Sequence, residues 1–377
     1  VGVPGVIRTT PSDSWGYFDP SVPTLADELK RGGYHTGIVG KWHLGLEAPD
    51  RPNDRGFDHF HGFLGDMMDD YYTHLRHGQH YMRRNLELVE PEGHATDVFT
   101  GWAIDYIRER VSPDAKDQPF FLYLAYNAPH TPIQPPADWL EKVKAREPGI
   151  SETRAKLVAL IEHLDYGVGE VLSTLKETGA WENTLIVFTS DNGGQVEVGA
   201  RNARLRGGKQ EMWEGGIRVG TCVAWPGKIA PGQVNANHIS LGMDFYPTLA
   251  EIAGAKIDHP VDGRSFAPLL LGEPFEDKPR DLYWVRLEGG PKYGGIHYHA
   301  AQQGEWKLLR NTPFEPYQMF NLAADPAEEH PIPREKAPKK YQDLFQSLQG
   351  HVNQAGKVPW QRLEEGTNGI EPPAKKP

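Results

Sequence analysis

Residues 36–45 read Thr36-Gly37-Ile38-Val39-Gly40-Lys41-Trp42-His43-Leu44-Gly45, a short apolar strand that runs straight into a lysine, a tryptophan and a histidine. Two further stretches repeat that arrangement. Pro119-Phe120-Phe121-Leu122-Tyr123-Leu124-Ala125 is an unbroken apolar run followed by Asn127-Ala128-Pro129-His130-Thr131-Pro132. Thr184-Leu185-Ile186-Val187-Phe188-Thr189 leads into Ser190-Asp191-Asn192-Gly193-Gly194. Unbroken apolar runs of this length fit strands covered on both faces. Helical patterns separate them. Thr24, with Asp27 three residues on, opens a helix that Gly32-Gly33 closes. Phe99, Ala103, Ile107 and Val111 mark a second over 96–111. Leu157, Ile161, Leu164, Val168, Val171 and Leu175 stripe a long one over 151–178. Strands alternating with helices predict an α/β core with a mostly parallel sheet, whose ligands gather beyond the carboxyl ends of the strands.

Taken singly, each strand end has an ordinary explanation. Lys41 reads as a solvated loop charge, His130 as a loop histidine stiffened by two prolines, and Asp191-Asn192-Gly193 as an Asx-type turn. Their recurrence at one topological position favours a shared site.

The chain has 377 residues, 38% hydrophobic and 24% charged, enough for a packed core and for two domains. Gly (41) and Pro (32) are abundant, so ordered loop must cover much of the scaffold. After Pro274 the texture changes. Leu282-Tyr283-Trp284-Val285, Ile296-His297-Tyr298-His299-Ala300 and Trp306-Lys307-Leu308-Leu309 predict an antiparallel set, with a helix near Tyr341 to Leu348. The expected division is a larger domain over 1–275, a smaller antiparallel-sheet domain over 276–363 and a disordered tail over 364–377. A net charge of −11 without a basic stripe argues against nucleic acid and anionic membranes as partners. The longest apolar stretch, Phe120 to Tyr126, is too short to span a bilayer, so no transmembrane segment is expected. Cys222 is the only cysteine and excludes an intrachain disulfide; its strand-like flanks predict a core position. The chain begins with Val1 and shows no secretory leader pattern.

The residue types at the three strand ends describe one chemistry. Asp191 and Asn192 offer hard oxygens suited to Ca²⁺ or Mg²⁺. Lys41, and Lys209 in Arg206-Gly207-Gly208-Lys209, supply point charges for a tetrahedral oxyanion. His43 and His130 are candidates for proton transfer near neutral pH. Phosphoryl and sulfuryl transfer both need such a set, because charge spreads over peripheral oxygens in the transition state.

The stretch Gly37-Ile38-Val39-Gly40-Lys41-Trp42-His43-Leu44-Gly45 resembles a signature of the sulfatases, the formylglycine-dependent family related to alkaline phosphatase. The resemblance continues through Arg55-Gly56-Phe57-Asp58-His59-Phe60-His61-Gly62, Pro129-His130-Thr131-Pro132 and Ser190-Asp191-Asn192-Gly193-Gly194. It takes in Arg206-Gly207-Gly208-Lys209, Glu214-Gly215-Gly216-Ile217-Arg218-Val219 and Asp244-Phe245-Tyr246-Pro247-Thr248-Leu249, and closes with Met319-Phe320-Asn321-Leu322-Ala323-Ala324-Asp325-Pro326. The flavour is that of arylsulfatase A and N-acetylgalactosamine-6-sulfatase.

The resemblance implies an alkaline-phosphatase-like α/β fold with a mixed, mostly parallel sheet flanked by helices. It also implies hydrolysis of a sulfate ester, on a sulfated carbohydrate or an aryl sulfate. By position, Lys41 would contact the nucleophile and the sulfate, and His43 would bond the formylglycine hydrate and help release sulfate. His130 and Lys209 would hold the sulfate oxygens and assist the leaving alcohol, and Asp191 and Asn192 would belong to the Ca²⁺ shell. Export to the periplasm or cell exterior is the family habit.

The family's Cys/Ser-x-Pro-x-Arg nucleophile motif does not occur before Lys41: Ser12, Ser14 and Ser21 all fail it, as does Cys222. The expectation is that this motif and an early strand with two metal-binding aspartates lie upstream of Val1, leaving the chain inactive alone. Two alternatives stay open: a phosphodiesterase or phosphonate hydrolase of the same superfamily, and a non-catalytic protein that binds sulfated glycans. The loop from Asp66 to Asn85, rich in His, Tyr and Arg, is either a lining of sugar subsites or a polar surface insertion.

Overall fold

The computed structural model describes residues 19–288 and 296–355; the tail expected to be disordered, 364–377, lies outside the described residues. The chain divides into two compact units, one over Pro20–Lys278 and one that contains the chain from Pro279 onward.

In the first unit, α1 (Leu25–Arg31) starts with the predicted reciprocal cap. The Thr24 N–H donates to the Asp27 carboxylate (2.7 Å) and the Asp27 N–H to Thr24 Oγ1 (3.1 Å). β1 (His35–Lys41) follows, parallel to β2 (His59–Phe63), with Gly40 opposite Gly62. A hairpin of β3 (Leu75–Arg76) and β4 (Gln79–His80) precedes β5 (Met82–Arg84) and β6 (Glu87–Leu88), which extend the sheet antiparallel from β2. After α2 (Ala95–Arg110) comes β7 (Phe120–Ala125), parallel to β1 with Gly40 opposite Ala125. The strand order is β6-β5-β2-β1-β7, so β1 is an interior strand paired on both sides, and its Ile38 and Val39 are fully buried with Phe99 and Ile107 of α2 in one core. This is the expected mixed sheet flanked by helices.

α3 (Ala137–Arg146) packs on α4 (Glu152–Glu177), which the Ser151 hydroxyl caps. The buried face of α4 runs through Leu157, Leu160, His163, Gly167, Val171 and Leu175, whereas Ile161, expected within the stripe, is 41% exposed. The cause is tertiary. A Cβ at Gly167 would stand 2.5 Å from Thr100 Oγ1, so α2 and α4 meet at that glycine and Ile161 turns outward.

Two strands depart from expectation. β8 (Ile186–Thr189) does not join the large sheet; it pairs antiparallel with β9 (Thr221–Ala224) in a separate ladder. Phe188 of β8 is 53% exposed and Tyr123 of β7 is 51% exposed, so neither strand is covered on both faces. Among the described residues β7 ends its sheet and β8 has β9 as its one partner, which leaves each with an open side. Cys222, paired with Phe188, is exposed for the same reason and is not a core cysteine. The short α5 (Glu214–Ile217) precedes β9, and α6 (Phe245–Ile252) and α7 (Ala267–Leu271) complete the unit. α6 docks on α1 through the Tyr246 hydroxyl, which donates to buried Glu28 (3.0 Å).

The second unit is the predicted antiparallel set: β10 (Asp281–Glu288), β11 (Ile296–Gln303), β12 (Trp306–Arg310) and β13 (Gln318–Asn321), in that order. α8 (Pro338–Ala355) lays Leu344 and Leu348 on Ala301, Leu308 and Met319. Lys307 and Glu328, both fully buried, pair at 2.9 Å.

Candidate active site

Lys41 is the last residue of β1, between β2 and β7. The chain reaches it through Gly40, whose φ of +109° few other residues adopt. A Cβ there would stand 2.1 Å from the Ala125 carbonyl, so the close approach of β1 and β7 also requires glycine. Beyond Lys41 the chain keeps its grip on β2: the Trp42 N–H donates to Phe63 O (2.9 Å) and the His43 N–H to Leu64 O (3.2 Å). The Trp42 indole donates to Asp50 O (2.8 Å) and packs edge-on against Phe57. His43 is held at φ +67°, a left-handed conformation that a histidine adopts at an energetic cost and that sets where its ring leaves the backbone.

His130 follows β7 in a tight turn closed by its own N–H on Asn127 O (2.9 Å). Its Nδ1–H donates to Thr131 O (2.8 Å), which leaves Nε2 with the lone pair when the ring is neutral. From outside, the Tyr71 hydroxyl donates to His130 O (2.9 Å). The Tyr71 N–H donates to the Gln134 side-chain carbonyl, and the Gln134 amide to Asp70. Tyr71, Gln134 and Asp70 thus brace the histidine turn, a role that spacing along the chain does not reveal.

Asp191 and Asn192 follow β8, and Lys209 lies on a separate loop that backbone contacts fasten to theirs. The Gly193 N–H donates to Gly216 O (2.9 Å), the Lys209 N–H to Gly194 O (3.1 Å) and the Gly215 N–H to Arg206 O (2.8 Å). The fit at Gly193 is so close that a Cβ would stand 1.7 Å from Gly215 O. Asn202 bridges the two loops. Its Oδ1 accepts from the Gly194 N–H (2.9 Å) and its amide donates to Gly194 O (3.1 Å) and Gly207 O (2.9 Å). Glu211 adds a bond from the Gly208 N–H (2.9 Å). Neither Asn202 nor Glu211 stood out in the sequence, where each is one polar residue among several near the Gly-Gly pairs.

Electrostatics tie these places together. Burial pushes the Lys41 ammonium below its ordinary value; the Asp191 carboxylate opposes this and Lys209 adds to it. Burial likewise lowers His130, and Lys209 and then Lys41 lower it further, against the Thr131 hydrogen bond and Asp191. Lys41, His130, Asp191 and Lys209 therefore share one field, assembled from three strand ends and a loop. His43 lies two residues after Lys41 and Asn192 one after Asp191, and neither is among the main groups that act on Lys41 or His130 in that field.

Asp66 and Arg76 also act on Lys41, which sets part of the 66–85 loop at this rim. Arg76 forks onto Asp66 (2.9 and 3.1 Å) and reaches Asp69 (2.7 Å). His74 is instead buried and bonded to Gly93 O (3.0 Å), so it holds the loop together.

For a divalent cation the donor type fits: Asp191 brings a carboxylate and Asn192 an amide oxygen, its nitrogen being engaged by Gly193 O (2.9 Å). The donor number does not, since Ca²⁺ takes about six to eight oxygens. Among the described residues a single group of three metal-type side chains occurs, His94, Asp97 and His163. It is no substitute: His94 Nδ1 caps Thr96 and Nε2 donates to Gln134 O.

Comparison with known proteins agrees with this geometry. The model of the family described as Sulfatase matches residues 5–255, and that of the N-sulphoglucosamine sulphohydrolase C-terminal region matches 208–357. Mouse arylsulfatase J is 36% identical over 77% of this chain, and dog N-acetylgalactosamine-6-sulfatase 31% identical over 93%. The chain spans 51% of the former's length and 71% of the latter's. The crystal structure of Ps i-CgsB in complex with k-i-k-neocarrahexaose is 29% identical, with a TM-score of 0.81 over 93% of this chain and 78% of that one. With a family model matched over more than half of its length and a folded core that carries the motifs to one rim, the chain belongs to the sulfatase family.

Proposed function

We propose that this protein is a sulfuric ester hydrolase acting on a sulfated carbohydrate, with Lys41, His130 and Lys209 as the sulfate-binding groups. The observation that carries the reading is the shared field of Lys41, His130, Asp191 and Lys209. Two ammonium groups beside a carboxylate and a largely neutral imidazole leave a modest positive excess. That suits a monoanionic sulfate ester better than a dianionic phosphate monoester.

In this reading Lys41 and Lys209 bind the peripheral sulfate oxygens, where charge grows as the ester bond breaks. His130, its Nδ1 held by Thr131, presents Nε2 as the atom that carries a proton to the departing alcohol oxygen. Binding an anion beside it raises its proton affinity, so the sulfate helps charge its own acid. His43, set by its left-handed backbone, orients the attacking group and assists sulfate release. The family's formylglycine hydrate, whose precursor motif is not found in this chain, would supply the attacking oxygen. Asp191 and Asn192 contribute two ligands to a Ca²⁺ ion, with Mg²⁺ as the smaller alternative. The similarity to a protein crystallised with an oligosaccharide supports a glycan substrate. Among the described residues no helix is long and apolar enough to cross a membrane, and the reading places the protein outside the cytoplasm, periplasmic or extracellular.

Calorimetry with inorganic sulfate and inorganic phosphate tests the assignment on the chain itself. Sulfate is expected to bind more tightly than phosphate, and Lys41→Ala or Lys209→Ala to weaken it about tenfold or more, the loss of one charge-assisted contact. Absence of sulfate binding, or variants that bind like the parent, refutes it. Preference for phosphate counts against the sulfate assignment, and preference for a phosphodiester over a sulfate monoester transfers the chain to the phosphodiesterase and phosphonate hydrolase reading.

A further inference from the structure

Beside the Lys209 loop the sign of the surface reverses. The chain carries −11 overall, yet residues 195–209 contain Arg201, Arg204, Arg206 and Lys209 against Glu197 alone. Arg206 lies over the Trp213 ring (3.8 Å). Arg201 and Arg204 differ: both are exposed, and neither has an ion-pair partner among the described residues. Arg146, by contrast, is engaged with Glu147 and Glu162.

These two guanidiniums do not sit on a loose loop. The Arg154 side chain on α4 donates to Gly199 O (3.0 Å), and the Ala200 N–H to Gln195 O (3.2 Å). Asn202, between the two arginines, makes the three bonds that join Gly194 to Gly207. Leu205 closes a turn onto Asn202 O (3.0 Å), across Ala203 at φ +52°. The same bonds set this loop beside the one that follows Asp191 and Asn192. The Gly194 amide is two residues past Asn192 and touches the Asn202 side chain, so the Arg201 backbone lies within about 10 Å of it at 3.8 Å per residue step. A rigid backbone carrying two uncommitted planar forks is preorganised for carboxylate or sulfate oxygens.

We propose that Arg201 and Arg204 form a second anion subsite, which takes a further sulfate or carboxylate group of a glycan whose scissile sulfate lies at Lys41, His130 and Lys209. The proposal rests on the sulfatase reading and narrows its substrate class to polyanionic glycans.

The test compares the full chain with an Arg201→Gln, Arg204→Gln double variant. Three probes are titrated by calorimetry: inorganic sulfate, a disaccharide sulfated once, and the same disaccharide sulfated twice. The parent is expected to prefer the doubly sulfated sugar by about tenfold or more, with a steeper salt dependence. The double variant loses that preference and keeps its affinity for the other two probes. As exposed substitutions, both should melt within about 2 °C of the parent. A parent that binds the two sugars equally, or a variant that retains the preference, overturns the subsite. Failure of inorganic sulfate and the singly sulfated sugar to bind, with preference for the doubly sulfated one retained in the parent and lost in the variant, would refute the sulfatase assignment and leave the arginine subsite standing.

Discussion

The ends of β1 and β8 look alike in sequence, each an apolar run breaking into polar residues, yet they are built on opposite terms. β1 is bonded on both sides, its middle residues are fully buried, and Lys41 emerges as a continuation of the sheet. β8 has β9 alone among the described residues, half its length is exposed, and Asp191 and Asn192 owe their place to loop-on-loop contacts through Gly193, Gly194 and Asn202. One half of the site is anchored by the core and the other by a hydrogen-bonded collar. The lesson is that a half-exposed strand can still end in a fixed loop, provided buried glycines and cross-bonds hold that loop to its neighbour.

The sharpest way to break the comparison is to add one methyl group at each end. Gly40→Ala drives a Cβ into the Ala125 carbonyl, where β1 pairs with β7 in the large sheet. It should cost roughly 4 kcal/mol or more, leaving little folded protein in urea titrations. Gly193→Ala meets Gly215 O in the collar, and should abolish sulfate binding while the unfolding midpoint stays near the parent's. Equal loss of stability in both would erase the distinction.

Acid should act on the sheet side first. Burial lowers His59 of β2 to about 4 and His61 to about 3, against 6.5 in the unfolded chain. Above pH 6.5 both states are neutral and nothing changes. As the pH falls below 6.5 the unfolded chain takes up protons that the folded one refuses, so stability drops by up to about 1.4 kcal/mol per pH unit for each histidine. His61 stacks on Trp102 with ring centroids 3.3 Å apart, so His61→Phe keeps a ring there and should flatten part of the slope between pH 6.5 and 5. An unchanged slope would remove His61 from the account.

A smaller effect belongs to the collar. Asn202→Ala removes three hydrogen bonds and should cost about 1–3 kcal/mol, with sulfate affinity falling further than the shift in melting explains. A variant less stable but with parental sulfate affinity would make Asn202 a scaffold residue alone. In the same collar, Lys209→Ala removes a positive neighbour of His130, so the His130 resonance in NMR should titrate at higher pH than in the parent. The smallest expected signal is calcium itself: Asp191 and Asn192 alone should bind no tighter than about millimolar, and micromolar affinity by calorimetry would mean that more donors converge there than the described residues supply.

Much of this was legible along the chain. The cap of α1, the apolar face of α2 and the apolar runs of the strands after Pro279 follow from local patterns, because each lies within one short stretch of chain. The six candidate side chains were legible as motifs, and four of them, Lys41, His130, Asp191 and Lys209, share one field. The misreadings have a common origin. Exposed Phe188, Tyr123 and Cys222, and the outward Ile161, lie where burial depends on which distant element arrives, and an apolar run is silent on that. Tyr71 and Asn202 escaped notice because their partners lie 59 residues and 5 to 8 residues away, in backbone atoms that every residue shares.

By itself the sequence determined the element types, the family resemblance and the chemical identity of the rim: two ammonium groups, two imidazoles and two hard-oxygen donors. These are properties of residue type and short-range spacing. Tertiary structure alone decided that, among the described residues, β8 stands apart from the large sheet, the Lys209 loop locks onto the Asp191 loop, and Arg201 and Arg204 are displayed without an ion-pair partner. The reason is physical: hydrogen bonds between loops and the burial of a strand's second face are settled by three-dimensional neighbours, which local pattern does not encode.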